Sequence, residues 1–182
     1  PYSSIIHAFQ KLIKQLLTEN KENIETWKQL LLRNLESNGK IITNIIPELA
    51  LIIGEQPDVP ELGPQETHER FKLVFKNFIS CFIQKDTPLI LFIDDLQWAD
   101  IASLDLIETV IKDHRLSPLL VIGAFRDSEV INPHPLLEII DNIKQTNVTI
   151  NEIKLELLTL NSINHLVSDF LRCDEKKSYP LA

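Results

Sequence analysis

The sequence contains no methionine, only two cysteines and only four glycines among its 182 residues. The lack of methionine, together with an opening on Pro1-Tyr2, suggests a segment of a longer protein. Cys81 and Cys173 stand far apart, which argues against a disulfide framework and against a cysteine zinc site. A reducing, cytoplasmic environment therefore fits the sequence best.

Basic residues and long apolar runs are also scarce. The chain has 18 Lys and Arg against 26 Asp and Glu, a net charge of −8. Because binding to a nucleic-acid backbone needs clustered basic side chains, nucleic acid is not expected as a partner. No apolar run approaches the roughly 20 residues of a membrane helix, so no span is expected in this segment. With 44% apolar residues, the chain can still bury a core.

The first half of the sequence has the spacing of amphipathic helices. Apolar residues recur every three or four positions over residues 3–17, 24–35 and 66–84, and the last of these carries a stripe of phenylalanines. The segment SNGK predicts a helix end with Gly39 as a left-handed cap. These patterns predict a largely helical part over residues 1–87.

The second half alternates strands with helices. Residues 89–93 and 118–125 are continuous apolar runs, as expected of strands buried on both faces, and VTINEIKLELL at 148–158 predicts a third strand. Helices are predicted between and after these strands, at residues 102–112, at 134–144 and from a threonine cap at 159. This order predicts an α/β fold, a parallel sheet with helices on both faces, over residues 88–160.

Two adjacent aspartates, Asp94 and Asp95, follow the first predicted strand. Ligands of parallel sheets bind at the carboxyl ends of the strands. A carboxylate held there can bind a Mg²⁺ ion shared with nucleotide phosphates, and a second acid can orient or deprotonate the attacking water. We assign Asp94 to Mg²⁺ and Asp95 to the water. The alternative is a strand end that meets water, with the pair capping the next helix.

Arg126 follows the second predicted strand in the segment GAFRD, so it should lie beside the tip of the first strand. An arginine there can contact a γ-phosphate. Asp95 and Arg126 are therefore the candidate catalytic residues, and Asp94, Asp95 and Arg126 the candidate nucleotide-binding residues. The alternative for Arg126 is a surface ion pair with Asp127 or Glu129.

A glycine-rich phosphate cradle of the form G-x-x-x-x-G-K-[ST] is not found in this sequence. The Gly39-Lys40 pair is followed by Ile41 and lacks the earlier glycine. Either the cradle lies in sequence outside this chain, or the chain is not an ATPase.

The segments LILFIDDLQWADIASLDLI and LLVIGAFRDSEV closely resemble the AAA-like ATPase module of the STAND class of signal-transduction ATPases. More narrowly, they resemble the module in large bacterial hybrid kinases, which join a Ser/Thr kinase domain, this module, a sensor domain and a histidine kinase. PYSSIIHAFQKLIKQLL, NIIPELALIIG and ERFKLVFKNFI resemble that subgroup as well, so the likeness covers nearly the whole chain.

The resemblance implies a P-loop NTPase-like fold and a role for each matching residue. Asp94 matches the Mg²⁺-binding Walker B aspartate, Asp95 the catalytic acid and Arg126 the sensor arginine. Trp98 and Asp100 belong to the QWAD signature, and we expect Trp98 to orient the loop by packing. The family's Walker A would precede Pro1, and residues 161–182 would begin a helical lid. This segment would then be a partial domain that is inactive by itself.

The resemblance implies a switch that binds and hydrolyses ATP with Mg²⁺. This switch would regulate kinase and sensor domains of the same polypeptide, and it could form homo-oligomers. Two alternatives remain. A phosphoacceptor receiver domain also pairs acids after a buried strand, but about ninety residues of helix precede the pair here. A non-catalytic interaction module with a degenerate ATPase fold is the other.

Overall fold

The structure, a computed structural model, describes residues 2–84 and 87–181. Its helices and strands, in chain order, are α1 Ser3–Leu16, α2 Lys21–Leu35, α3 Gly39–Thr43, α4 Ala50–Ile53, α5 Pro64–Ser80, β1 Leu89–Ile93, α6 Ile101–Ile111, β2 Leu119–Gly123, α7 Pro135–Lys144, α8 Leu160–Leu171 and α9 Glu175–Ser178. They fall into two compact units, Pro1–Val148 and Thr149–Ala182. Over the described residues, no helix has both the length and the apolar content needed to cross a membrane.

Aromatic side chains form the centre of the helical first part. The ring of Phe9 on α1 lies 5.6 Å from that of Phe75 and 5.2 Å from that of Phe78, both on α5. Trp27 on α2 lies 5.6 Å from Phe82, just beyond the end of α5. Phe75 and Phe78 are fully buried. The stripe of phenylalanines is therefore the seam that joins three helices, as its helical spacing predicted.

Gly39 does not have the predicted left-handed conformation. It begins α3 with a φ of −52°, whereas Glu36, directly after α2, has a positive φ of 49°. The missing side chain matters for another reason, because a Cβ on Gly39 would lie 2.6 Å from Oε1 of Gln56. The glycine thus permits a close approach rather than a turn of the backbone.

The first two predicted strands form a two-stranded parallel sheet. Leu89 pairs with Leu119, and the register continues to Ile93 opposite Gly123. Helix α6 connects the strands, which is the strand, helix, strand unit that the alternation predicted.

Only one face of this sheet is covered by the described residues, so the expectation of helices on both faces is wrong for them. Leu91 and Ile93 are buried, whereas Ile90 and Phe92 are 59% and 58% exposed. On the covered face, Leu91 and Val121 share a small apolar cavity with side chains of α1, α5 and α6. An apolar run suits burial on both sides, but burial itself requires a second neighbouring layer.

The predicted third strand is also wrong. Residues 148–159 form no strand, and no described strand pairs with them. Their alternating side chains Ile153, Leu155 and Leu157 are 84%, 87% and 96% exposed. Alternation makes a segment suitable for a sheet, but a strand also needs a neighbour that accepts its backbone hydrogen bonds.

The second unit consists of α8 and α9, joined by buried polar contacts. Thr159 caps α8 as predicted, with its Oγ1 accepting the N–H of Ser162 at 3.2 Å. The Oγ of Ser178 donates to Oδ1 of Asn164 at 2.6 Å, and Nδ2 of Asn164 donates to the carbonyl of Glu175 at 3.1 Å. These bonds satisfy two buried polar side chains and hold α9 against α8.

Cys81 is a core residue, as the sequence indicated. Its side chain is buried beyond the end of α5, and burial raises the pKa of its thiol to about 12. A thiol with that pKa stays neutral at physiological pH, so Cys81 packs as a small apolar side chain rather than reacting as a nucleophile.

Candidate functional site

The carboxyl ends of β1 and β2 meet at one edge of the sheet. Beyond the strands, the N–H of Ala124 donates to the carbonyl of Ile93 at 2.9 Å, and the N–H of Leu96 donates to the carbonyl of Ala124 at 2.9 Å. These two bonds hold the segment after β1 against the segment after β2. Asp94, Asp95 and Arg126 therefore lie at the same edge, as the parallel arrangement predicted.

The aspartate pair occupies a sharp turn of the backbone. Asp95 has a φ of 54° and a ψ of 42°, the left-handed conformation that aspartate tolerates better than most residues. Oδ1 of Asp94 accepts the N–H of Asp95 at 2.9 Å, and the Asp94 side chain is exposed. Neither aspartate side chain caps α6, so that part of the alternative is wrong, whereas the exposure of Asp94 fits a strand end that meets water.

Asp100, the last residue of the QWAD signature, caps α6. Its Oδ1 accepts the N–H of Ser103 at 2.9 Å, and its Oδ2 accepts the Ser103 hydroxyl at 2.6 Å and the N–H of Tyr2 at 3.2 Å. Burial raises the pKa of the Asp100 carboxyl, but these hydrogen bonds outweigh it and hold the pKa below its usual value. Asp100 thus fixes the start of α6 behind the strand tips.

Gln97 connects the two strand tips, and sequence reasoning gave it no role of its own. Its side chain is buried, its Nε2 donates to Oδ1 of Asp95 at 2.9 Å, and its Oε1 accepts the N–H of Arg126 at 3.3 Å. A carboxamide can bridge an acceptor and a donor at once. In the sequence, the only indication of a role for Gln97 was its place in the QWAD segment. The fold shows that its side chain joins Asp95 to the backbone of Arg126.

Arg126 forms an ion pair with Glu129, one of the two alternatives considered from the sequence. Its Nη1 lies 3.0 Å from Oε1 of Glu129, and the side chain of Arg126 is 62% exposed. Trp98, which was expected to orient the loop by packing, is 66% exposed and makes its contacts at the surface. Its Nε1 donates to Oε2 of Glu129 at 3.0 Å, and its ring centroid lies 5.6 Å from Cζ of Arg126.

The donor set at this edge suits an ion that brings most of its own ligands. Among the described residues, no group of three or more His, Cys, Asp or Glu side chains could hold a metal ion. Mg²⁺ bound to a nucleotide uses phosphate oxygens and water and needs only one or two carboxylates from the protein. The exposed carboxylate of Asp94 at the end of a rigid strand fits that requirement.

The sequence pattern of the AAA ATPase domain matches residues 1–122 of this chain. Hybrid signal transduction histidine kinase G of Dictyostelium discoideum is 40% identical over 114 residues, which are 63% of this chain and 3% of that protein. Histidine protein kinase 1 of Candida albicans is 21% identical over 213 residues, which cover 100% of this chain and 8% of that protein. The chain thus spans only a small part of these relatives. No solved structure matches.

Proposed function

Because this chain belongs to the AAA ATPase domain family, we propose that it is the Walker B and sensor part of a regulatory switch that binds and hydrolyses ATP. The observation that carries the proposal is the meeting of Asp94, Asp95 and Arg126 at one edge of a parallel sheet. A solvent-facing edge with two carboxylates and one guanidinium suits a phosphorylated ligand with its metal ion.

Each residue has a separate role in this proposal. Asp94 holds Mg²⁺, which neutralises charge on the nucleotide phosphates when it is bound. Asp95 orients the attacking water and accepts its proton, and Gln97 keeps the Asp95 carboxylate in place. Arg126 contacts the γ-phosphate, where a guanidinium stabilises the charge of the transition state.

The phosphate cradle must come from sequence outside this chain, because no G-x-x-x-x-G-K-[ST] segment occurs in it. We therefore propose that the chain supplies three parts of the module. They are a helical part at 1–87, the α/β core with Walker B and the sensor strand at 88–160, and the start of a helical lid at 161–182. The isolated chain is expected to bind ATP weakly.

The relatives suggest what the switch controls. Both are named as histidine kinases and both are far longer than this chain. We propose a STAND-class module in a cytoplasmic signalling protein, in which nucleotide-dependent movement changes the activity of kinase and sensor domains of the same polypeptide and can involve homo-oligomers. ATP is preferred over GTP on the strength of the family alone.

A non-catalytic interaction module is the second candidate. The ion pair of Arg126 with Glu129 fits this candidate as well as it fits an ATPase without nucleotide. The exposed apolar side chains of Ile90 and Phe92 also offer surface for a partner.

Titration calorimetry of the full-length polypeptide that carries this chain separates the two candidates. The ATPase proposal predicts that ATP binds with Mg²⁺ present and that its affinity falls when EDTA removes the ion. GTP serves as the control for base preference. A full-length protein that binds neither ATP nor ADP under either condition would overturn the ATPase proposal and favour the interaction module.

A further inference from the structure

Three side chains at the strand tips form a closed cluster, here called the clasp: Trp98, Arg126 and Glu129. Both carboxylate oxygens of Glu129 are engaged, Oε1 by the Arg126 guanidinium at 3.0 Å and Oε2 by the Trp98 indole N–H at 3.0 Å. The third side of the clasp is the guanidinium of Arg126 near the ring of Trp98, 5.6 Å from its centroid. One carboxylate thus holds two residues that follow different strands.

The local backbone brings these side chains together. Trp98 ends the short turn Leu96–Trp98 after β1, and Arg126 follows β2. The N–H of Glu129 donates to the carbonyl of Arg126 at 3.0 Å, which folds the short turn Asp127–Glu129 back toward the arginine. Since Arg126 and Trp98 are both more than half exposed, an anion from solvent can reach the guanidinium while the fold stays intact.

We propose that Glu129 is a positioning residue that holds Arg126 in a resting arrangement, and that the γ-phosphate of a bound nucleotide competes with its carboxylate for the guanidinium. The inference rests on the proposed nucleotide site and specifies how that site is regulated. A guanidinium pairs with phosphate as readily as with carboxylate, and the phosphate carries more charge. Arg126 is therefore transferred to the phosphate only when the third phosphate is present.

The exchange has a consequence on the other strand. When Arg126 leaves Glu129, the cation near the Trp98 ring moves away as well. Trp98 stands in the turn between β1 and α6 and keeps its hydrogen bond to Glu129, so the exchange changes the surroundings of its ring. The clasp therefore couples the presence of a γ-phosphate to the charge beside the Trp98 ring.

Glu129→Gln tests the competition. Glutamine keeps the length of the side chain and can still accept the indole N–H of Trp98, but it has no charge to hold Arg126. In the full-length polypeptide, this variant should bind ATP about two- to fivefold more tightly, the range that exposed ion pairs are worth, while ADP affinity stays unchanged. Glu138→Gln, which changes an exposed glutamate on α7, is the matched control and should alter neither affinity.

Trp98 emission gives a second readout that a merely structural role of Glu129 would not produce. In a Trp27→Phe background, Trp98 is the only tryptophan of this segment. The emission of the same protein with Trp98→Phe added is subtracted, which removes the signal of tryptophans elsewhere in the full-length polypeptide. ATP should change the emission and ADP should not, and Glu129→Gln should show the changed emission without nucleotide.

The outcomes distinguish the clasp from the nucleotide proposal. If the full-length protein binds ATP but Glu129→Gln leaves its affinity unchanged, the competition is wrong and the nucleotide site stands. Equal emission changes with ATP and ADP would also overturn the competition alone. Absence of binding of either nucleotide to the wild type overturns both.

Discussion

Asp95→Asn in the full-length polypeptide is expected to lower the turnover of ATP about a hundredfold or more while leaving the affinity for ATP nearly unchanged. A positioned base contributes roughly 10²- to 10⁴-fold to a reaction, and asparagine cannot accept the proton of the attacking water. Asparagine also tolerates the left-handed backbone of this position, and its amide oxygen can still accept a hydrogen bond from Nε2 of Gln97. The variant should therefore fold normally.

Steady-state release of phosphate measures the turnover, and calorimetry measures the affinity. Asp58→Asn is the matched control, because the Asp58 side chain is 94% exposed in the loop before α5 and lies outside the strand tips. Its turnover should equal that of the wild type. If Asp95→Asn also turns over ATP at the wild-type rate, Asp95 is not the base.

Phe75→Ala is expected to destabilise the 182-residue chain by about 3–5 kcal/mol, the usual cost of truncating a buried phenylalanine to alanine. Phe75 is fully buried on α5 and its ring lies 5.6 Å from Phe9 and 5.9 Å from Phe78. Truncation leaves a cavity where α1 and α5 pack together. Since the free energy of unfolding of a whole domain is only about 5–15 kcal/mol, this loss should unfold a measurable fraction of the molecules.

Urea unfolding followed by far-ultraviolet circular dichroism gives the free energy of unfolding of the variant and of a control. Leu73→Ala is the control, because Leu73 lies on the same helix, two residues away, and is 50% exposed. Leu73→Ala should lower the free energy of unfolding much less, because this side chain removes less apolar surface from water when the chain folds. Equal losses for Phe75→Ala and Leu73→Ala would show that the aromatic seam is not the centre of this core.

The parts of the fold that depend on local spacing were predictable from the sequence. The stripe of phenylalanines predicted α5, and the two apolar runs predicted β1 and β2 in parallel. Their shared edge followed from topology, because parallel strands end on the same side of a sheet. The same reasoning predicted that Asp94 and Arg126 lie at one edge of the sheet.

The errors concern features that depend on neighbours. The segment at 148–158 alternates like a strand but has no partner among the described strands. Likewise, no described residues cover Ile90 and Phe92 as a second layer. Periodicity records what a segment is suited for, while burial and pairing depend on what lies beside it. Gly39 shows the same limit, because its closeness to Gln56 is a tertiary contact.

Two residues of the candidate site became informative only with the fold. Gln97 is an ordinary polar residue in the sequence, and its bridge from Asp95 to the backbone of Arg126 requires both strand tips to be in place. Glu129 was one of two acids near Arg126, and its simultaneous contact with Trp98 crosses 31 positions of sequence. Contacts between separate strand ends carry no periodic signal that a sequence could reveal.

In the proposed site, Asp94 holds the Mg²⁺ ion that a nucleotide brings to the strand tips. The most direct test is the dependence of ATP turnover on Mg²⁺ concentration in the full-length polypeptide and in its Asp94→Asn variant. Loss of residues that merely support metal ligands costs roughly 10- to 100-fold in metal affinity, so loss of the ligand itself should raise the half-saturating Mg²⁺ concentration at least about tenfold. Superimposable Mg²⁺ curves for wild type and variant would show that Asp94 does not hold this ion.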